Sequence, residues 1–123
     1  MQFDPENLRF NADGLIPAIA QDEGSGEVLM MAWMNAASIR QTLESGDVTY
    51  WSRSRQEFWV KGATSGHRQR LVELRIDCDR DCLMLVVEQT GPACHTGRRT
   101  CFYTAVRDGV ETELMAPETD SHS

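Results

Sequence analysis

Apolar positions along this chain fall in short runs, each of strand length, divided by glycine, proline and charged residues. Residues 14–21 predict a strand that opens at Pro17, placed near a sheet edge because proline cannot donate to a ladder. Residues 22–27, with two glycines, predict a turn, and the apolar run 28–34 predicts the second arm of a hairpin. The clearest helix is expected over 35–46. Asn35 is its N-cap, Ile39 and Leu43 share a face at the i, i+4 spacing, and Gly46 sits where a left-handed terminator belongs. A helix this short must dock that face on a sheet to be stable.

The β-rich runs 48–52 and 58–61 are joined by a polar turn at 53–57, and a loop follows at 62–66. Residues 71–77 alternate as a half-buried strand does, and 83–88 form a continuous apolar strand that Gly91-Pro92 breaks. The last expected strand is 100–106. The sum is a small α+β domain with a mostly antiparallel sheet and one clear helix at about 35–45. The domain is expected to span 1–107, with an acidic tail at 108–123 that is at least partly disordered, residues 117–123 above all.

Composition narrows the classes. A chain of 123 residues, 41% hydrophobic and 25% charged, is expected to be one soluble domain. No apolar run approaches the roughly 18–20 residues that cross a bilayer, and the N-terminus has neither a basic start nor an apolar stretch. A cytoplasmic protein without a membrane partner is the expectation. In that compartment four cysteines read as metal ligands or free thiols rather than disulfides.

The net charge of −7 argues against general nucleic-acid binding. The basic residues are unevenly placed, with Arg53, Arg55, Lys61, Arg68, Arg70 and Arg75 close together. Eleven of the 12 are arginine, the side chain that grips phosphate in a bidentate fork. The cluster reads either as a solvated face or as a pocket for a small phosphorylated anion.

The densest chemistry lies in Asp77-Cys78-Asp79-Arg80-Asp81-Cys82 and in Cys94-His95-Thr96-Gly97-Arg98-Arg99-Thr100-Cys101. Carboxylates are hard ligands that suit magnesium or calcium, and thiolates are soft ligands that suit zinc, so two different metals are implied. If the chain is extended at 77–81, all three aspartates leave one face and Cys78 leaves the other. Its zinc partners would then come from elsewhere, and Cys94 and Cys101 can be brought together by one loop. Three thiolates with an open position are the pattern of a catalytic zinc, whereas a closed shell of four is structural. Cys82 either closes that shell or is a small buried apolar residue. His95 and His67 are candidates for moving protons, and His95 is also a candidate fourth zinc ligand. The reaction class this set favours is metal-assisted hydrolysis of a phosphorylated compound.

The same residues carry a family resemblance. Leu29-Met30-Met31-Ala32-Trp33-Met34-Asn35, Tyr50-Trp51-Ser52-Arg53-Ser54-Arg55 and Trp59-Val60-Lys61-Gly62-Ala63-Thr64-Ser65-Gly66-His67-Arg68-Gln69 stand in order, followed by the aspartate and cysteine segments. Over residues 8–106 the chain resembles phosphoribosyl-AMP cyclohydrolases, which act in the third step of histidine biosynthesis. The resemblance implies zinc on Cys78, Cys94 and Cys101, one ion per subunit. The set is assembled across an intertwined homodimer, with one subunit supplying the first cysteine and its partner the other two. It implies magnesium on Asp77, Asp79 and Asp81, His95 beside the zinc, Cys82 as a bystander, and a monofunctional chain.

On that resemblance, the substrate is N1-(phosphoribosyl)-AMP. Zinc-activated hydroxide is expected to attack C6 of the adenine ring and break the N1–C6 bond. His95 and His67 would serve proton transfer, and Arg53, Arg55, Lys61 and Arg68 would hold phosphate. Two rival expectations stand beside this one. The first is a non-enzymatic zinc-stabilised binding module, and the second is a zinc hydrolase of another purine nucleotide.

Overall fold

The computed structural model describes residues 2–118. Eight strands and one α-helix follow a short 3-10 turn at Pro5–Asn7. They are β1 (Ile16–Asp22), β2 (Val28–Met34), α1 (Ala36–Ser45), β3 (Thr49–Ser52), β4 (Glu57–Val60), β5 (Gln69–Ile76), β6 (Leu83–Gln89), β7 (Thr104–Arg107) and β8 (Val110–Glu113). The class is α+β, with mostly antiparallel pairing and a single α-helix among the described residues.

The central sheet runs β2-β1-β6-β5. β1 pairs antiparallel with β2 and parallel with β6, and β5 closes the sheet antiparallel to β6. A parallel pair needs a long crossover. Here β2, α1, the β3–β4 hairpin and β5 all lie between β1 and β6 in the chain. The two middle strands carry the core: Ile16, Ala18 and Ala20 meet Leu83, Leu85 and Val87, with Leu29, Met34, Ile39, Val48 and Tyr50 packed around them.

Pro17 corrects one expectation, because β1 is an interior strand. The ladder to β6 begins only at Ala18, so the proline precedes it and removes no bond from that side. Regular structure is also present beyond 107. β8 pairs with β7 from Thr104↔Glu113 to Arg107↔Val110, which adds a strand after the last one expected. Residues 119–123 of the expected tail lie outside the described residues.

Helix α1 forms where its caps predict. Asn35 Oδ1 accepts the Ser38 N–H (2.8 Å), Ser38 Oγ accepts the Asn35 N–H (3.0 Å), and the Gly46 N–H closes the last turn on Thr42 O. The buried face differs from the expected one, since Leu43 is 45% exposed while Ser38, Ile39 and Thr42 are buried. The reason is polar. Thr42 Oγ1 accepts the Thr49 N–H (2.9 Å), which docks the helix on β3 and turns the next residue, about 100° further round, to solvent.

Candidate active site

The aspartates are gathered by a turn. Residues 77–82 close the β5–β6 hairpin, with Ile76 paired to Leu83, and are not extended. Arg80 adopts a left-handed φ of 63°, and Asp77 Oδ1 accepts the N–H groups of Asp81 (2.9 Å) and Cys82 (3.2 Å). This folding brings one carboxylate oxygen from each of Asp77, Asp79 and Asp81 within 4.8 Å of the others, all exposed. Strand alternation therefore does not account for their convergence, although the convergence itself is present.

Their ionisation is uneven. Slight burial acts upward on Asp77, but the N–H groups of Asp81, Cys82 and Arg80 outweigh it and hold this carboxyl below its ordinary value. Asp81 is pushed up by its hydrogen bond with Asp77, by desolvation, and by the charges of Asp77 and Asp79. Three crowded carboxylates, one of them held up by its neighbours, are the donor chemistry a hard dication suits.

The thiols Cys94 and Cys101 lie at the opposite end of the sheet. The 93–101 loop follows β6 and folds on itself, with the Cys94 N–H donating to Arg98 O (3.0 Å) and the Gly97 N–H to Cys94 O (3.0 Å). The Cys101 N–H donates to Leu29 O (2.7 Å), beside Val28, which pairs through Gln21 with Val86. Arg98 stacks on Tyr103 at 4.0 Å and donates to Met115 O (3.1 Å), binding the β7–β8 hairpin to the loop.

The two sulfurs are neighbours, and each acts on the ionisation of the other. Burial would raise Cys94, but the Thr96 hydroxyl (3.1 Å from Sγ), Cys101 and Lys61 overcome it and draw the thiol below its ordinary value. Cys101 is pushed up to about 11 by burial of its thiol and by the neighbouring Cys94. Two neighbouring thiols, one drawn down and the other pushed up, are a donor pair that suits a soft dication.

An open cleft of about 360 Å³ reaches Cys94. Arg55, Trp59, Lys61, His67, Cys94 and His95 contribute to its wall. His95 is exposed at its rim and His67 is half-buried. Two glycines hold His67 in place. A Cβ on Gly62 (φ 79°) would stand 2.4 Å from the His67 carbonyl carbon, and one on Gly91 (φ 69°) would stand 2.6 Å from its ring carbon Cδ2. Both residues occupy conformations that glycine adopts without strain.

The four basic residues expected to hold phosphate are dispersed. Arg55 lines the cleft with only an exposed contact to Glu57 at 3.7 Å. Arg53 lies 4.9 Å over Trp33 in an adjoining hollow lined also by Trp51 and Trp59. Arg68 does not line the cleft and pairs with Asp47 at 3.7 Å. Lys61 reaches the cleft wall but is only 8% exposed.

Cys78 and Cys82 belong to the aspartate turn. β6 has seven residues, so at about 3.3 Å per residue it separates this turn from the Cys94 loop by about 20 Å. Among the described residues of one chain, Cys78 joins no three-ligand group with Cys94 and Cys101. Cys82 directs its thiol to Leu83 O at 3.8 Å. The Thr96 contact and the glycine pair around His67 escaped sequence reasoning. The short spacing Cys94-x-Thr96 was the local signal for the first, while Gly91 signalled only a strand break.

Comparison with known proteins bears on the same residues. The family model described as phosphoribosyl-AMP cyclohydrolase matches residues 30–103. Phosphoribosyl-AMP cyclohydrolase of Dinoroseobacter shibae is 73% identical over 117 residues, covering 95% of this chain and 98% of that protein. The protein of the same name from Jannaschia sp. is 74% identical over the same shares. That from Paracoccus denitrificans is 71% identical over 119 residues, 97% of this chain and 98% of its own length.

Proposed function

The chain belongs to the phosphoribosyl-AMP cyclohydrolase family, and from that premise we propose that it hydrolyses the N1–C6 bond of N1-(phosphoribosyl)-AMP in histidine biosynthesis. The observation that carries the reading is the neighbouring thiol pair Cys94 and Cys101, the first of them on the wall of a cleft that Lys61, His67 and His95 also line.

Cys94 and Cys101 would hold zinc together with Cys78 of a second copy, and Asp77, Asp79 and Asp81 would hold magnesium. Zinc in that position supplies a Lewis acid that makes water nucleophilic near neutral pH. Substitution at N1 leaves C6 of the adenine ring electron-poor. The water oxygen bonds to C6, the N1–C6 bond breaks, and N1 takes a proton. His95, exposed at the rim, moves that proton, and His67 faces the same space. Arg55 offers its guanidinium to a substrate phosphate at the mouth.

A homodimer is part of this reading. Cys78 lies in the turn before β6 and Cys94 in the loop after it, and among the described residues of one chain the three thiols form no ligand group, which supports a second copy as the source of the third. Large apolar side chains on the hairpin beside the thiol loop support a second copy as the missing partner. Phe102 is 56% exposed, Val106 69% and Val110 61%. Among the described residues no helix is long and apolar enough to cross a membrane. The cytoplasm is the proposed compartment.

Mixed subunits test the reading. Cys78→Ser and Cys94→Ser proteins should each lack ring-opening activity. Co-refolded in equal amounts they should recover about a quarter of the wild-type rate, because half the dimers are mixed and each holds one intact site. No recovery in verified mixed dimers, or a wild-type rate unaffected by a strong zinc chelator, would overturn it.

A further inference from the structure

We propose that Lys61 is a positioning residue for the Cys94–Cys101 pair, acting through its charge and its hold on Ala93, and not a phosphate ligand. The inference rests on the zinc reading of those thiols. Lys61 stands at the end of the β3–β4 hairpin, and its N–H donates to Val48 O (3.0 Å). Its side chain runs inward past the face of Trp59, with Nζ 5.5 Å from the ring centre. Nζ then donates to the carbonyl oxygen of Ala93, the residue before Cys94.

A buried ammonium needs an anion or carbonyl oxygens around it. None of the ion pairs among the described residues involves Lys61. Burial draws its pKa below the ordinary value, and the sulfurs of Cys101 and Cys94 act against that. A phosphate ligand, by contrast, must present free donors to solvent, and this side chain is almost wholly enclosed.

Three thiolates holding a dication would carry one net negative charge, which a Lys61 ammonium bonded beside Cys94 would offset. Its bond to Ala93 also fixes the backbone from which Cys94 projects. Groups of this kind, one shell out from a metal, typically alter affinity about 10- to 100-fold.

The test uses full-length Lys61→Met and Lys61→Gln proteins. Glutamine keeps a donor for Ala93 but not the charge. Zinc affinity is read without substrate, by competition against a chromophoric chelator. Lys61→Met should bind zinc about 10- to 100-fold more weakly. Lys61→Gln should fall between it and the wild type, which keeps the question decidable if the methionine variant does not fold. At saturating zinc, KM should stay within about twofold of wild type, since ground-state binding of the nucleotide is untouched.

Unchanged zinc affinity together with a KM raised about tenfold or more would make Lys61 a phosphate ligand and sink the proposal. A wild-type protein that takes up no zinc would sink the zinc reading instead. The contact with the loop would then be judged in metal-free protein, where Lys61→Met must speed amide exchange at residues 94–97 several-fold for the positioning role to survive.

Discussion

Tyr50 donates its buried phenolic hydrogen to Gln69 Oε1 over 2.7 Å, and neither side chain has any exposed surface. Gln69 Nε2 passes the contact to Gln89 Oε1 (2.9 Å), and Gln89 Nε2 reaches the carbonyl of His67 (3.4 Å). A polar chain thus runs from the core beneath Trp59, whose ring lies 5.3 Å from that of Tyr50, to the backbone of a cleft histidine. Removing the hydroxyl in Tyr50→Phe strands a buried acceptor, and stability should fall by about 1–3 kcal/mol. A urea unfolding curve with an unshifted midpoint would contradict this.

His67 depends on what it leans against. Gly91→Ala puts a methyl group 2.6 Å from the imidazole at a backbone angle that disfavours any side chain. The ring must move, and the variant should lose turnover about as strongly as His67→Ala does. Steady-state rates of the two variants and their combination provide the check. Losses that multiply would mean the glycine acts elsewhere, whereas losses that overlap place it on the histidine.

His95→Ala should reduce turnover by about 100- to 10,000-fold, the usual range for a general acid or base. Zinc content should stay at the wild-type level, measured by atomic absorption on the purified protein. Loss of the metal would make His95 a ligand.

Asp22 supplies a prediction about acid stability away from the cleft. Its carboxylate accepts the Ser25 N–H and hydroxyl, both at 2.9 Å, and the backbone bond chiefly holds its pKa below the ordinary value of 3.8. A depressed folded-state pKa means the contribution is complete above about pH 4 and fades as the pH drops through the folded value. Asp22→Ala should therefore lower the melting temperature by a few degrees at pH 7, with the gap narrowing as the pH falls through the lowered folded-state pKa. Scans at neutral and at acid pH decide it, and an equal gap at each would remove the carboxylate from the account.

The elements legible in the sequence were those set by local chemistry. The β1–β2 hairpin, both caps of α1 and the apolar run of β6 need only neighbours within a few residues. What was not legible depended on distant partners. Leu43 could be placed on the wrong face because the contact that orients the helix, Thr42 to Thr49, is polar. Pro17 could not be placed inside the sheet without knowing where its parallel neighbour begins. Asp77, Asp79 and Asp81 were correctly grouped, but by an extended geometry that the left-handed Arg80 rules out. Lys61 was grouped with arginines by charge, and only the fold reveals that its head points to Ala93.

β6 acts as a ruler. With Cys78 near its start and Cys94 and Cys101 beyond its end, the proposed zinc set is split in a lone subunit. Under the proposed pairing, dilution is an off-switch. Well below the dissociation constant of the pair, the rate should fall with the square of protein concentration, and a newly made chain stays inert until it meets its twin.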